Sequence, residues 1–368
     1  MCSKSILTLI ILKAKGNHYY KKLKTYEHFI AMLYCVVTGS TSLREIEAGL
    51  GIAQGKLNHL GIEYMPPRST LSDGNKNCSS NIFRAIYDGL YEKYKPNFSD
   101  STKISKVILQ KLYFMDSTVF SLFKEILKTS GRYSMDGKKK GVIKKNTILD
   151  SVSLMPSFIS FTAAAQSDQK IYKDINLIQG SYIVFDKGYN NYQAFLKFTQ
   201  QGVFLDTRQK QNAVYTTVIE AMFYENNQTQ TLKLRRIAWY DEKKDRCYEF
   251  ITNNFEIDAT MIAQLYQYRW KIELFFKKLK QNFPLQYFVG DNQNAIEIQI
   301  WMALIASLLL SVIHQQQKTK MAFSVFVTII KLHLFNYISI GGLLGKYNKK
   351  KTIATTQISM FNDEYPPA

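Results

Sequence analysis

An α/β protein with helices at both ends is the fold class that three features of the sequence predict. Helix-period apolar spacing fills the start, strand-length apolar runs the middle, and long helical patterns the last third. At 368 residues the chain is long enough to bury a sizeable core, divided over two or three domains.

The elements follow in chain order. The apolar run Ile6 to Leu12 is too short to span a bilayer, lacks a small-residue cleavage site, and reads as a core segment. Between Tyr26 and about Leu50, the spacing of Phe29, Met32, Leu33 and Val36, then of Leu43, Ile46 and Leu50, predicts two amphipathic helices broken at Gly39-Ser40. Residues 66–77, from Pro66-Pro67-Arg68 to Asn77, offer a further helix start with polar and basic side chains. Residues 1–100 therefore read as a helical module of helix-turn-helix type, presenting Arg68 to Lys76; an ordinary helical bundle fits the same pattern.

From about residue 105 the period becomes that of strands: Val107 to Met115, Thr118 to Phe123 and Ser151 to Phe161, with turn-like Gly131 and Gly137 between them. A short helical stretch near Lys170 to Leu177 precedes a fourth strand, Tyr182 to Phe185. Residues 200–254 alternate strand-like runs (Ala213 to Val218, Thr231 to Trp239, Tyr248 to Thr252) with polar turns, as a β-rich insertion would. Asp258 is a good N-cap for one long helix from Ala259 to Phe283, stopped before Pro284. Two apolar helices, Asn294 to His314 and Ala322 to Phe335, follow, and then a basic stretch, Lys346 to Lys351. The boundaries so read are 1–100, 101–290 and 291–368, the last a helical segment suited to dimerisation.

Lys and Arg number 48 against 29 Asp and Glu, a net charge of +19, and 14% of residues are aromatic. Positive charge combined with stacking groups suits a nucleic-acid partner. Four scattered cysteines form no C-x-x-C pair, so neither zinc nor a disulfide framework is indicated, and a reducing cytoplasm fits. The five histidines lack metal-ligand spacing, which leaves no Ser-His-Asp reading. Nothing in the sequence requires a membrane.

Three acidic residues carry the chemistry. Asp116 follows the apolar run ending at Met115, and Asp186 follows Phe185, so both carboxylates are expected at strand ends. Each alone could be a turn residue. Side by side they would offer the hard oxygen ligands that Mg²⁺ or Mn²⁺ requires. In the helix, Tyr266, Arg269, Glu273 and Lys280 share one face, within roughly 60° of arc at about 100° per residue. Ion pairing on a solvated face would explain such a stripe. However, Ile262, Leu265, Ile272, Phe275, Phe276 and Leu279 make much of the remaining circumference apolar, so the polar stripe needs a partner. A metal-bound phosphate is one: Glu273 toward the metal, Arg269 and Lys280 toward phosphate oxygens, Tyr266 as a hydrogen-bond donor. The basic run Lys138, Lys139, Lys140 lacks the frame of a nucleotide-binding loop and reads as a DNA-backbone contact or as a solvated turn.

Tyr266-x2-Arg269-x3-Glu273-x6-Lys280 resembles the Y-R-E-K pattern of the insertion-sequence-4 group of bacterial transposases. Asp116-Ser117-Thr118, Asp186-Lys187-Gly188-Tyr189, Phe250-Ile251-Thr252-Asn253 and Ile298-Gln299-Ile300-Trp301 resemble that group too, as do Ser42 to Glu47 and Pro67 to Thr70. The likeness runs over roughly residues 20–335. It implies an RNase H-like catalytic core with a β-strand insertion between its second Asp and its Glu, behind a DNA-binding front end. It also implies cut-and-paste transposition: Asp116, Asp186 and Glu273 hold two Mg²⁺ (or Mn²⁺), a homodimer engages the inverted repeats of double-stranded DNA and then target DNA, and release passes through a hairpin. Tyr266 and Arg269 would hold terminal phosphates, and Trp239, the only tryptophan in the insertion, is a candidate for stacking a flipped base; core packing is the alternative for it.

Two features depart from the pattern. The chain starts about two dozen residues before the first match, a shorter lead-in than expected of relatives, and Asn146, Ser167 and Gln169 stand where histidines are expected. An inactive, domesticated DNA-binding remnant is therefore the alternative to an active transposase, while a structure-selective nuclease fits the stripe less well.

Overall fold

A computed structural model of the chain describes residues 4–17, 23–53, 55–62, 64–98, 108, 111–121, 131–133, 139–163, 172, 175–209, 218–225, 228–242, 245–283, 285, 287–336 and 338–349.

Five helices come first: α1 (Lys4–Lys13), α2 (Thr25–Thr38), α3 (Leu43–Ile52), α4 (Arg68–Asn77) and α5 (Ser80–Tyr94). The expected break between α2 and α3 is present. Gly39 takes φ 75°, the left-handed conformation that only glycine adopts freely, and its N–H closes on Cys35 O at 2.9 Å. Ser42 caps α3 by accepting from Glu45 N–H, while Glu45 accepts from Thr41 N–H and Oγ1. The apolar run near the N-terminus is core, with Leu7 and Ile11 buried.

Nine strands are found among the described residues: β1 (Leu112–Ser121), β2 (Gly131–Tyr133), β3 (Lys139–Asp150), β4 (Pro156–Ala163), β5 (Tyr182–Phe185), β6 (Phe204–Arg208), β7 (Val218–Glu225), β8 (Gln228–Asp241) and β9 (Arg246–Thr252). They form one mixed sheet in the order β2-β3-β1-β5-β6-β9-β8-β7, with β4 also on β3. β1, β5 and β6 run parallel, β3 pairs antiparallel with β1, and β4 pairs antiparallel with β3. Three antiparallel strands continued by two parallel ones give the RNase H-like core that the resemblance implied. Because β6 pairs with β5, it belongs to this core, and the insertion proper is β7 to β9. Its strands extend the same sheet through β9 on β6.

Several segments differ from expectation. The two strands anticipated at 107–115 and 118–123 are one unbroken β1, for Asp116 and Ser117 stay in register with Thr147 and Asn146 of β3. Lys139 and Lys140 are not in a turn: they begin β3, paired with Tyr133 and Arg132. The anticipated start of β4 at Ser151 is instead a turn, where Asp150 Oδ2 accepts from Ser153 N–H and Oγ. The helical stretch near Lys170 lies mostly outside the described residues, and residues 175–177 are not helical. A helix the alternation hid, α6 (Tyr192–Gln200), covers one face of the sheet and is capped by Asn191.

The long helix expected at 259–283 is two, α7 (Ala259–Tyr268) and α8 (Trp270–Asn282), meeting at Arg269. Three-residue bonds tighten the junction: Arg269 N–H to Tyr266 O at 3.1 Å and Ile272 N–H to Arg269 O at 3.0 Å. α9 (Gln293–Gln316), α10 (Phe323–Leu332) and α11 (Ile340–Lys349) complete the chain. α9 is long and apolar enough to cross a membrane, yet most of that stretch is buried inside the fold. It packs on α5 and α2, in a core that also takes in Leu112, Phe114 and Val184 from one sheet face. Met115, Ile183 and Phe185, pointing the other way, pack with Phe195 and Phe198 of α6.

Candidate active site

The acidic pair is built by strand register. The last parallel pair between β1 and β5 is Met115 with Phe185, so the next residues, Asp116 and Asp186, stand side by side. They follow different courses. Asp116 remains inside β1, held there by β3, and so is not the strand-end residue anticipated, whereas Asp186 leaves β5 and opens a 3₁₀ turn, Lys187–Tyr189. Their side chains belong with Phe114 and Val184, the face covered by α7 and α8.

The α7–α8 junction brings three more side chains onto that point. Tyr266 donates its hydroxyl to Asp186 Oδ1 at 3.0 Å. Arg269 reaches Asp116 Oδ2 with Nη1 at 3.6 Å and Glu273 Oε1 with Nη2 at 2.9 Å. Its guanidinium also lies 5.3 Å from the Tyr266 ring centre. The Arg269 side chain is only 12% exposed, against 20% for Asp116 and 33% for Glu273. The cation is thus the deeper partner, with the carboxylates nearer solvent. Burial, reinforced by Asp186, pushes the Tyr266 hydroxyl well above its ordinary range, so it remains a donor. Burial alone would lower the Arg269 pKa, but Tyr266, Asp116 and Glu273 outweigh it and raise it.

The donor set fits a divalent cation. Among the described residues no three acidic, His or Cys side chains are gathered tightly enough to hold a metal as they stand. Two of the three carboxylates are tied instead to one guanidinium, the positive charge that like-charged neighbours need. Hard carboxylate oxygens around a cationic centre are the ligands of Mg²⁺ and Mn²⁺.

The other candidates are dispersed. Lys280 is on α8, exposed, two turns beyond Glu273. Trp239 is half-buried on β8 and stacks on Tyr248 at 6.3 Å; from there an aromatic row continues through Phe250 to Tyr266. Arg68 is exposed in the first turn of α4, far along the chain from the acids, its N–H bonded to Glu47. Lys138 lies outside the described residues, as do Ser167 and Gln169; Asn146 is buried on β3 beside Ser117.

Sequence reasoning missed Arg208. It ends β6, the third parallel strand, at the same edge as the two aspartates, with its guanidinium 4.9 Å from the Tyr248 ring centre. Its backbone carbonyl accepts from Asn190 Nδ2 at 3.0 Å, which ties it to the turn after Asp186. A basic residue closing a strand at the carboxyl end of a parallel sheet was the available signal.

The family described as Transposase DDE domain matches residues 109–309, which span β1 to α9, and a domain of unknown function, DUF4372, matches residues 2–63. A transposase of Sinorhizobium fredii named y4zB is 27% identical over 243 residues, covering 61% of this chain and 67% of that one. A transposase named for insertion sequence element IS5377 of Geobacillus stearothermophilus is 23% identical over 291 residues, 74% of this chain and 75% of that one. A third, named for element IS4SA of Synechocystis, is 44% identical over 52 residues, 14% of this chain and 15% of that one. Among solved structures, a piggyBac transposase synaptic complex with hairpin DNA aligns at a TM-score of 0.46 and 9% identity, over 95% of this chain and 80% of that one.

Proposed function

The chain belongs to the Transposase DDE domain family, and from that premise, which makes it a divalent-metal-dependent enzyme that cuts and joins DNA, we propose that it moves an insertion sequence of the insertion-sequence-4 group by cut and paste. Asp116, Asp186 and Glu273 would hold two Mg²⁺ or Mn²⁺, which supply an activated water or DNA 3′-hydroxyl and stabilise the leaving oxygen. The observation that carries the reading is Arg269, in contact with both Asp116 and Glu273 while Tyr266 holds Asp186.

The remaining steps belong to the protein's own side chains. Arg269, one turn before Glu273, can grip a phosphate through two parallel N–H bonds once the carboxylates are otherwise neutralised. Tyr266, kept protonated, offers its hydroxyl to the same phosphate, and Lys280 a point charge further along the strand. Arg208 sits beside Tyr266 and Tyr248 and supplies a second guanidinium. A terminal phosphate so fixed is aligned for attack by the freed 3′-hydroxyl, the geometry a hairpin intermediate needs. Trp239 then stacks the base that the hairpin displaces. Residues 1–100 recognise the inverted repeats through α4, residues 101–290 hold the chemistry, and residues 291–368 support a homodimer on paired ends, in the cytoplasm at the nucleoid.

The test is strand cleavage of a labelled transposon-end duplex in Mg²⁺. Asp116→Ala, Asp186→Ala and Glu273→Ala should each lose cleavage by on the order of 1,000-fold, with DNA binding retained. Near-normal cutting by any one of them removes that residue from the site.

A further inference from the structure

α4 and the acidic residues are far apart in sequence, and polar contacts tie α4 to the segment that follows the helix bearing Glu273. From Glu273 on α8 the chain passes through residues 283–292 to α9. Gln299 of α9 holds that connection, accepting from Val289 N–H at 3.0 Å and donating to Tyr287 O at 2.7 Å. Five residues earlier on α9, Asn294 grips the α4–α5 turn. Its Oδ1 accepts from Ser80 N–H at 2.9 Å, and its Nδ2 donates to Asn75 O at 3.0 Å and to Cys78 O at 2.7 Å. Glu297 adds a bond from Ser80 Oγ at 2.7 Å. The connection also runs close under α4: a Cβ at Gly290 would come within 2.4 Å of Ala295 Cβ and 3.9 Å of Asn75 Cβ.

These bonds differ in kind from the rest of the contact. α9 meets α5 and α2 through apolar side chains such as Phe83, Ile86, Leu90 and Met302. Apolar burial is non-directional and allows two helices to settle at neighbouring angles. Three hydrogen bonds from one amide to backbone groups at the end of α4 and the start of α5 remove that freedom, because distance and angle must both be met.

We propose that Asn294 is a positioning residue for strand cleavage: it locks α4 to α9, which through Gln299 also holds the segment leading out of the helix bearing Glu273, and so sets which phosphodiester of a bound DNA end reaches the acidic residues. The inference rests on the reading of α4 as the end-recognition helix. Apolar packing keeps the N-terminal helices attached without Asn294. Its loss therefore disturbs aim before it disturbs attachment.

The experiment uses the full chain with Asn294→Leu, which keeps the branched shape and deletes all three bonds, and Asn294→Asp, which keeps only the acceptor for Ser80 N–H. Cleavage products of a labelled end duplex in Mg²⁺ are mapped at nucleotide resolution, and end binding is measured on the same DNA. Both variants should bind the end nearly as wild type does. The share of cuts at the wild-type bond should fall by roughly half or more in Asn294→Leu, with new cuts at adjacent phosphodiesters. A change of rate with the cut position unaltered in folded variants overturns the proposal, and so does loss of end binding. Should Asn294→Leu show no cooperative melting, Asn294→Asp decides alone. The α4 reading is judged separately: if Arg68→Ala combined with Lys76→Ala binds the end as wild type does, that reading falls and takes the proposal with it, whereas weakened binding beside an unmoved cut site defeats the role of Asn294 only.

Discussion

The two halves of the sheet face the same helices with opposite charge. On the β1–β5 side the charged groups at the site are carboxylates, Asp116 and Asp186. On the β6–β9 side they are guanidiniums, Arg208 and Arg246, lying over the Tyr248 ring. The α7–α8 junction spans the divide, Tyr266 reaching an aspartate while its ring packs on Phe250 of β9. The contrast teaches that one sheet edge can carry opposite charge in its two halves. On the proposed function one half would seek the metal and the other the phosphate, with the α7–α8 junction joining them.

The difference between the halves can be broken at its bridge. Arg269→Lys keeps the charge but loses the planar fork that spans Asp116 and Glu273. It should lower hairpin formation by about 100-fold while nicking persists. A gel that separates nicked, hairpin and fully broken products decides, and an unchanged product ratio returns the stripe to ordinary helix stabilisation. On the guanidinium half alone, Arg208→Ala should slow the hairpin step by about 10-fold or somewhat more, the worth of one charged hydrogen bond, with first-strand nicking least affected. Equal loss in both steps would place Arg208 in general DNA binding instead.

Trp239→Ala should be milder, about 5- to 10-fold on hairpin yield, the lower end of the about 1–3 kcal/mol that stacking one base is worth. Trp239→Phe should recover most of it. If both variants behave as wild type, Trp239 is a packing residue for Tyr248 and nothing more.

The last effect is on stability and lies in the guanidinium half. Asp206 on β6 is buried, 2% exposed, and neither carboxylate oxygen has a hydrogen-bond partner among the described residues. Burial therefore pushes its carboxyl pKa well up. The folded state keeps the proton that the unfolded chain gives up above about pH 4, so stability is lost as pH rises through the folded pKa. Asp206→Val should accordingly stabilise the protein by about 1–3 kcal/mol, and more at pH 8 than at pH 4.5. Urea unfolding at the two pH values checks this, and an equal gain at both rules out the titration.

The sequence made the two aspartates legible because each follows an apolar run, and made the Tyr266–Glu273 stripe legible because helical spacing can be counted. It hid what depends on pairing. Asp116 read as a strand end because a polar pair, Asp116-Ser117, interrupts the apolar pattern; only the ladder with β3 carries the strand past it. β3 itself was missed because lysines crowd its start, and the break at Arg269 because α-helical and three-residue bonding have nearly the same side-chain period. Arg208 escaped because its significance lies in which strand is next to β6. The clip at Asn294 joins residues 214 positions apart, beyond any periodic signal.

That same separation has a bearing on how the chain is made. Closing so long a loop adds little free energy, about 0.6 kcal/mol for each doubling of length, yet at roughly 5–20 residues per second a ribosome needs on the order of 10–40 s to travel from Ser80 to Asn294. Throughout that interval Phe83, Ile86 and Leu90 of α5 have emerged without the helix that covers them. The apolar length of α9 thus leaves a nascent chain with an exposed stripe until late in synthesis, and a ribosome that stalls before Gln293 releases a polypeptide prone to aggregate.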